Sequence, residues 1–124
     1  MYHDAFYYGT SPADVEIPTQ VTSSIAESVT TRLFKKMFRA DGILKIRERP
    51  SSKTADFFMT ILWNGARTDC LVETKASHGW TPNTVQLSQA RVQLGVSGNF
   101  FNTQLKFACI VYFNIKTIVI FQVN

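Results

Sequence analysis

The dipeptide Asn64-Gly65 constrains the fold of this 124-residue chain more than any other feature. It follows a β-rich apolar run, Ala55 to Trp63, and precedes a second apolar run at Cys70 to Val72. Asn-Gly is the strongest short hairpin signal, because the favoured two-residue turn needs positive φ at both central positions. In a hairpin centred there the numbers of paired residues add to about 129, so we expect Asp56 opposite Glu73.

The second strand of this predicted hairpin ends in the triplet Glu73-Thr74-Lys75. Residues i and i+2 of a strand share a face, so Glu73 and Lys75 project together. Opposite charges at the end of an apolar strand cost desolvation unless something there uses them. Phosphodiester chemistry uses both, since a carboxylate can hold a divalent metal ion and an ammonium can orient the attacking water. The alternative is an ordinary surface ion pair, which contributes little.

The pairing of Asp56 with Glu73 adds a second reason to expect a cation. Directly opposite residues have Cβ atoms roughly 4.5 to 5.5 Å apart. Two carboxylates at that separation repel unless they share a proton or a cation.

The segment Thr22 to Arg39 is the clearest predicted helix. Its apolar positions recur every four residues, at Ile25, Val29, Leu33 and Met37, which is typical of an amphipathic helix. Glu27 falls within or beside the buried arc. A carboxylate there requires either a backbone cap or a metal ion, and both alternatives are open.

The next predicted strand, Ile43 to Arg49, carries three cations on one face: Lys45, Arg47 and Arg49. Such a row is either a solvated edge or a surface that meets phosphates. A loop from Pro50 to Thr54 follows it.

The remaining elements are predicted from Thr84 onward. Thr84 to Val96 is expected to be a helix that Gly95, Gly98 and Asn99 break, and its amides and Arg91 suit phosphate oxygens. Two nearly continuous apolar strands, Phe107 to Ile110 and Thr117 to Val123, are expected to be covered on both faces.

Composition and patterning indicate one domain at 22–124, preceded by an irregular N-terminal arm at 1–21. The net charge of +4 suits a polyanionic partner moderately. Both cysteines, Cys70 and Cys109, lie inside apolar runs, so we expect packed thiols in a reducing, cytoplasmic setting. The first ten residues lack the pattern of a secretory signal, and no apolar segment approaches the roughly 18 residues of a spanning helix.

The ordered set of a helix bearing Glu27, a strand opened by Asp56 and a strand ending in Glu73-Thr74-Lys75 resembles the PD-(D/E)xK nuclease superfamily. Within it the chain looks most like the small archaeal-type Holliday-junction resolvases. The resemblance covers about Ser23 to Val123, with Ala55 where the proline that names the motif stands. It implies an α/β fold with a restriction-endonuclease-like core, a mixed central sheet of about four to five strands flanked by helices.

The resemblance also implies roles for individual residues. Glu27, Asp56, Glu73 and Lys75 would be catalytic, and the three carboxylates would converge on Mg²⁺ or Mn²⁺. Ser51 or Ser52 would be the loop serine and Gln89 the glutamine of the following helix. The DNA-binding set would comprise Lys45, Arg47, Arg49, Ser51, Ser52, Lys53, Gln89 and Arg91.

The implied activity is metal-dependent hydrolysis of phosphodiester bonds in DNA, with branched DNA as a candidate substrate. Resolvases cut two strands symmetrically, so a homodimer is expected. No membrane partner is expected. Two other classes stay open: a DNA-binding module that keeps the fold without cleavage, and a structural interaction protein whose Glu73-Lys75 pair is a salt bridge.

Overall fold

The computed structural model describes residues 2–8, 22–46, 54–78 and 84–123, and this part of the chain forms two helices and one six-stranded mixed sheet. The sheet order is β1-β6-β5-β4-β3-β2. The elements in chain order are β1 (Tyr2–Tyr8), α1 (Thr22–Phe38), β2 (Asp41–Lys45), β3 (Phe57–Trp63), β4 (Ala66–Ser77), α2 (Thr84–Phe101), β5 (Leu105–Tyr112) and β6 (Thr117–Val123). The α/β class expected from the sequence is confirmed.

The hairpin of β3 and β4 has the register that Asn64-Gly65 predicts. Both turn residues have positive φ, 51° and 81°, as a two-residue hairpin turn requires. Pairing runs without a shift from Trp63 opposite Ala66 to Phe57 opposite Val72. The predicted register is therefore confirmed, and it brings Asp56 to the far end of the ladder.

The two helices cover opposite faces of the sheet. Cys70 and Val72 pack in a cluster with Ala26, Val29 and Leu33 of α1, whereas Leu71 packs with Ala90 and Leu94 of α2. Because side chains alternate along a strand, the odd-numbered residues of β4 after Leu71, Glu73 and Lys75, lie on the α2 side.

The strand β5 joins β4 in parallel, and α2 is the crossover between them. Parallel strands need such a connection, because a tight turn reverses the direction of the chain and can only join antiparallel strands. Residues 107–112 of β5 are all buried, so the expectation that this strand is covered on both faces is confirmed.

The N-terminal arm is not irregular throughout, which corrects the sequence-based prediction. Residues 2–8 form β1, which pairs antiparallel with β6 and raises the sheet from the expected four or five strands to six. Its composition, YHDAFYY, is rich in aromatic residues that favour strands, and the edge of β6 offers unpaired backbone groups. The rest of the arm lies outside the described residues.

Other boundaries also differ from the predictions. The strand expected at 43–49 is Asp41–Lys45, and Arg47 and Arg49 lie outside the described residues. The helix α2 continues through Gly95, Gly98 and Asn99 to Phe101. Glycine costs a helix only about 1 kcal/mol, and Gly98 fits a tight contact, since a Cβ there would lie 3.1 Å from the Thr103 carbonyl oxygen.

Neither helix has the combination of length and apolarity that a membrane crossing requires, within the residues that the structure describes.

Candidate active site

Asp56 is fully buried at the point where the β3/β4 ladder ends. Its Oδ2 accepts a hydrogen bond of 2.8 Å from the Thr74 N–H. Its own N–H donates to the Val72 carbonyl oxygen at 3.1 Å, and its carbonyl accepts from the Ile46 N–H at 2.9 Å. The carboxylate thus takes the place of the next backbone carbonyl in the ladder, and both neighbouring strands fix its position.

Glu73 precedes the residue that binds Asp56, and it is also fully buried. The Lys75 Nζ lies 3.1 Å from its Oε2, with 18% of the Lys75 side chain exposed against 0% for Glu73. The prediction that these two residues share a face is confirmed. A buried ion pair is costly to desolvate, and removing one partner leaves the other charge without compensation.

The charges of Asp56 and Glu73 influence the thiol of Cys109. Burial raises the pKa of Cys109 well above its usual value, and the neighbouring Cys70, Asp56 and Glu73 raise it further. Burial, followed by the charge of Asp69, raises the pKa of Cys70 to about 12. Both thiols are free and buried, so the expectation of packed thiols is confirmed.

Two polar residues of α2 support this region, and the sequence did not identify either in that role. The buried Ser97 accepts a 2.7 Å hydrogen bond on Oγ from the Ala55 N–H. The Gln86 Nε2 donates to the Ala76 carbonyl oxygen at 2.6 Å. Gln89, which the resemblance favoured, is exposed on α2 instead. The polar positions of a weakly amphipathic helix were the available signal, but they do not reveal which amide faces the sheet.

Glu27 is not brought to Asp56 and Glu73. Its Oε1 lies 2.9 Å from the Lys45 Nζ, and α1 packs on the face opposite Glu73. The described residues contain no group of three or more His, Cys, Asp or Glu placed to hold a metal ion. The expected convergence of three carboxylates is therefore not found there, and Asp56 with Glu73 remains as the candidate ligand pair.

The predicted DNA-binding residues fall into two groups. Lys45, Gln89 and Arg91 are exposed, although the Lys45 ammonium pairs with Glu27. The others, Arg47, Arg49, Ser51, Ser52 and Lys53, lie outside the described residues.

The donor set at this site suits a small divalent cation. Both candidate ligands are carboxylates, Glu73 on β4 and Asp56 directly before β3, and hard oxygen donors favour Mg²⁺ or Mn²⁺ over Zn²⁺. Mg²⁺ usually binds through one or two carboxylates together with waters and substrate phosphates. A two-carboxylate site therefore fits the ion expected from the sequence.

Comparison of this chain with protein-family models, with curated proteins and with solved structures finds no match.

Proposed function

We propose that this protein is a metal-dependent endodeoxyribonuclease that hydrolyses phosphodiester bonds and has a restriction-endonuclease-like core. The observation that carries the proposal is the burial of Asp56 and Glu73 at one end of a hairpin, with Lys75 bonded to Glu73. Burying two carboxyl groups is expensive, even with a largely covered ammonium beside one of them. Groups of these kinds, held in fixed positions, are what hydrolysis of a phosphodiester requires.

The order of the elements also supports the proposal. A helix, an antiparallel meander of β2, β3 and β4, a crossover helix and the parallel β5 follow one another. The resemblance to the PD-(D/E)xK nucleases rests on the same succession of a helix, three strands, a second helix and closing strands. The finer form of the proposal is a resolvase that cuts branched DNA, and this form includes a homodimer because symmetric incision needs two sites. Two buried free thiols agree with the cytoplasmic location proposed.

The side chains would divide the work of the reaction. Asp56 and Glu73 would hold Mg²⁺ or Mn²⁺, which would neutralise the phosphodiester and lower the pKa of water. Lys75, whose Nζ lies 3.1 Å from Glu73 Oε2, would donate hydrogen bonds to the attacking water and to the phosphate oxygens. The Thr74 N–H orients the Asp56 carboxylate, which would reduce the reorganisation that this side chain undergoes when a substrate binds.

Plasmid and junction cleavage test this proposal. Purified protein is incubated with supercoiled plasmid or a four-way junction, with Mg²⁺ or EDTA. We expect Mg²⁺-dependent cutting that falls at least about 100-fold in Asp56→Asn and in Lys75→Ala.

Asp69→Asn is the matched control. Asp69 is on the same strand as Glu73 but is exposed near the turn, so its replacement should leave cutting unchanged. Far-ultraviolet circular dichroism checks whether each variant is folded. Cutting that persists in Asp56→Asn, or in EDTA, would contradict the proposal.

A DNA-binding module without cleavage is the second candidate. The net charge of +4 and the exposed Lys45 and Arg91 favour it. Retention of DNA without cutting, unaffected by Asp56→Asn, supports this candidate. If the protein neither retains nor cuts DNA, the result supports the third class, a structural interaction protein.

A further inference from the structure

A cavity of about 400 Å³ lies between the end of β2 and the C-terminal half of α2. Its volume is within the range of pockets that bind small organic groups, roughly 300 to 1,000 Å³. Most of its wall is apolar, and that part is formed by Leu44, Ile46, Val96, Phe100 and Phe101. The wall suits a ligand with apolar faces.

Phe100 is an aromatic side chain in this wall that remains open to solvent. It is 82% exposed, although an aromatic ring that size gains much from burial. Its ring stands nearly perpendicular to Phe101 at 5.0 Å between centroids, and Phe101 stacks on Phe58 at 5.2 Å. The Phe100 ring is thus anchored at one side by the core and accessible to a flat partner.

Thr54 adds a polar group to the same wall. Its hydroxyl is buried and has no hydrogen-bond partner among the described residues. Because this oxygen is shielded from solvent, a ligand would hydrogen-bond to it only after the Thr54 side chain turned toward the cavity, and a buried polar group gains from such a bond. The wall thus combines apolar side chains with the polar residues Thr54 and Ser97, and a nucleobase, which has apolar faces and a polar edge, is a ligand of matching character.

The cavity also adjoins the candidate active site. Ser97 is part of its wall and accepts the Ala55 N–H. Ala55 connects Thr54 to Asp56, so a nucleotide whose base occupied the cavity would have its backbone near the segment that leads into Asp56. Lys45 also lines the cavity. Its side chain is 63% exposed although it pairs with Glu27. Exposed ion pairs are weak, so the Lys45 ammonium can also contact a phosphate.

We propose that this cavity binds an unpaired nucleobase of a DNA strand, stacked on Phe100. Stacking needs a base that is out of the duplex, so the protein would select single-stranded or branched DNA. The role of the cavity in selecting the DNA that is cut rests on the proposed function. Base binding itself can be measured without cleavage.

A double-mutant cycle between protein and DNA tests base binding. Fluorescence anisotropy in EDTA gives the Kd for a labelled single-stranded dT oligonucleotide and for one of equal length and charge with abasic sites. We expect wild type to prefer the dT strand about tenfold, and Phe100→Ala to lose that preference while binding the abasic strand as before. Val92→Ala is the control, since Val92 is 64% exposed on the same helix but outside the wall.

Three results would overturn the proposal: equal wild-type affinity for the two strands, no binding of either strand, or equal weakening of both strands by Phe100→Ala. Sedimentation equilibrium adds a further criterion, since an apolar surface can also bind a second copy. If Phe100→Ala converts a dimer to a monomer and leaves the preference for dT unchanged, the cavity is an interface between copies and the proposal is wrong. If the wild-type protein prefers the dT strand but does not cut plasmid, the result counts against the proposed function and leaves base binding standing.

Discussion

The two ends of the β3/β4 hairpin carry the same kinds of polar side chain in opposite environments. Near the turn, the Thr60 Oγ1 donates to the Asp69 Oδ1 at 2.8 Å, and Arg67 pairs with Asp41, all in exposed positions or nearly so. At the other end, Asp56 and Glu73 are fully buried. Water stabilises the charges at the turn end, whereas the protein itself must stabilise those at the far end.

This difference changes what each ion pair costs the folded protein. Exposed ion pairs cost and contribute little, typically below about 1 kcal/mol. A buried pair is often no more stable than an apolar replacement of similar volume. The Glu73–Lys75 pair is therefore poorly explained by folding alone, and this is the physical ground for assigning chemistry to that end.

The largest expected effect is that of Glu73→Leu. The substitution leaves the Lys75 ammonium, 18% exposed, without its counter-charge. We expect the free energy of unfolding to fall by about 3 to 5 kcal/mol, toward the lower end because Lys75 reaches some solvent. Urea denaturation monitored by circular dichroism measures the change.

The double variant Glu73→Leu with Lys75→Met sharpens this result. Removing both charges should restore most of the lost stability, while Mg²⁺-dependent cutting stays absent. A double variant as unstable as Glu73→Leu would mean that the pair is structural, and the contrast between the two ends would lose its functional meaning.

Ser97→Ala has the next largest effect, because it acts on the segment that leads into Asp56. It removes the acceptor of the buried Ala55 N–H, which costs about 1 to 3 kcal/mol. Cutting should decrease as well, since Asp56 follows Ala55. Ser88→Ala, at an exposed position of α2, is the control. If both variants melt at the same temperature, Ser97 does not support the site.

Gly65→Ala tests the turn end alone. Gly65 has a φ of 81°, and nothing lies within 4 Å of a Cβ placed there, so strain in the backbone is the only penalty. A left-handed conformation costs a residue with a Cβ roughly 1 to 2 kcal/mol. We expect a loss of that size in urea denaturation and unchanged cutting. A loss of cutting would show that the turn end is coupled to the site.

Local chemistry explains which parts of this picture the sequence could predict. Asn64-Gly65 specifies its own turn, so the register followed, and strand alternation placed Glu73 with Lys75. The failures depend on contacts between distant segments. A helical wheel gives the angle of Glu27 about its own helix, but it does not show that Glu27 pairs with Lys45 of another element. Likewise, β1 exists through its pairing with β6, and α2 continues past Gly98 through contacts with residues 103 and 106.

The smallest expected effect is that of Arg67→Met. Arg67 pairs with Asp41, and its NH1 donates to the Arg39 carbonyl oxygen at 3.1 Å, but both side chains of the ion pair are largely in water. We expect a loss below about 1 kcal/mol that shrinks further in high salt, because exposed pairs are screened. Lys75→Met, the corresponding loss of a cation at the buried end, should cost several times more and respond weakly to salt. Equal losses in both variants, with the same salt dependence, would mean that the far end is as well hydrated as the turn end, and the argument for a functional site built on buried charge would fail.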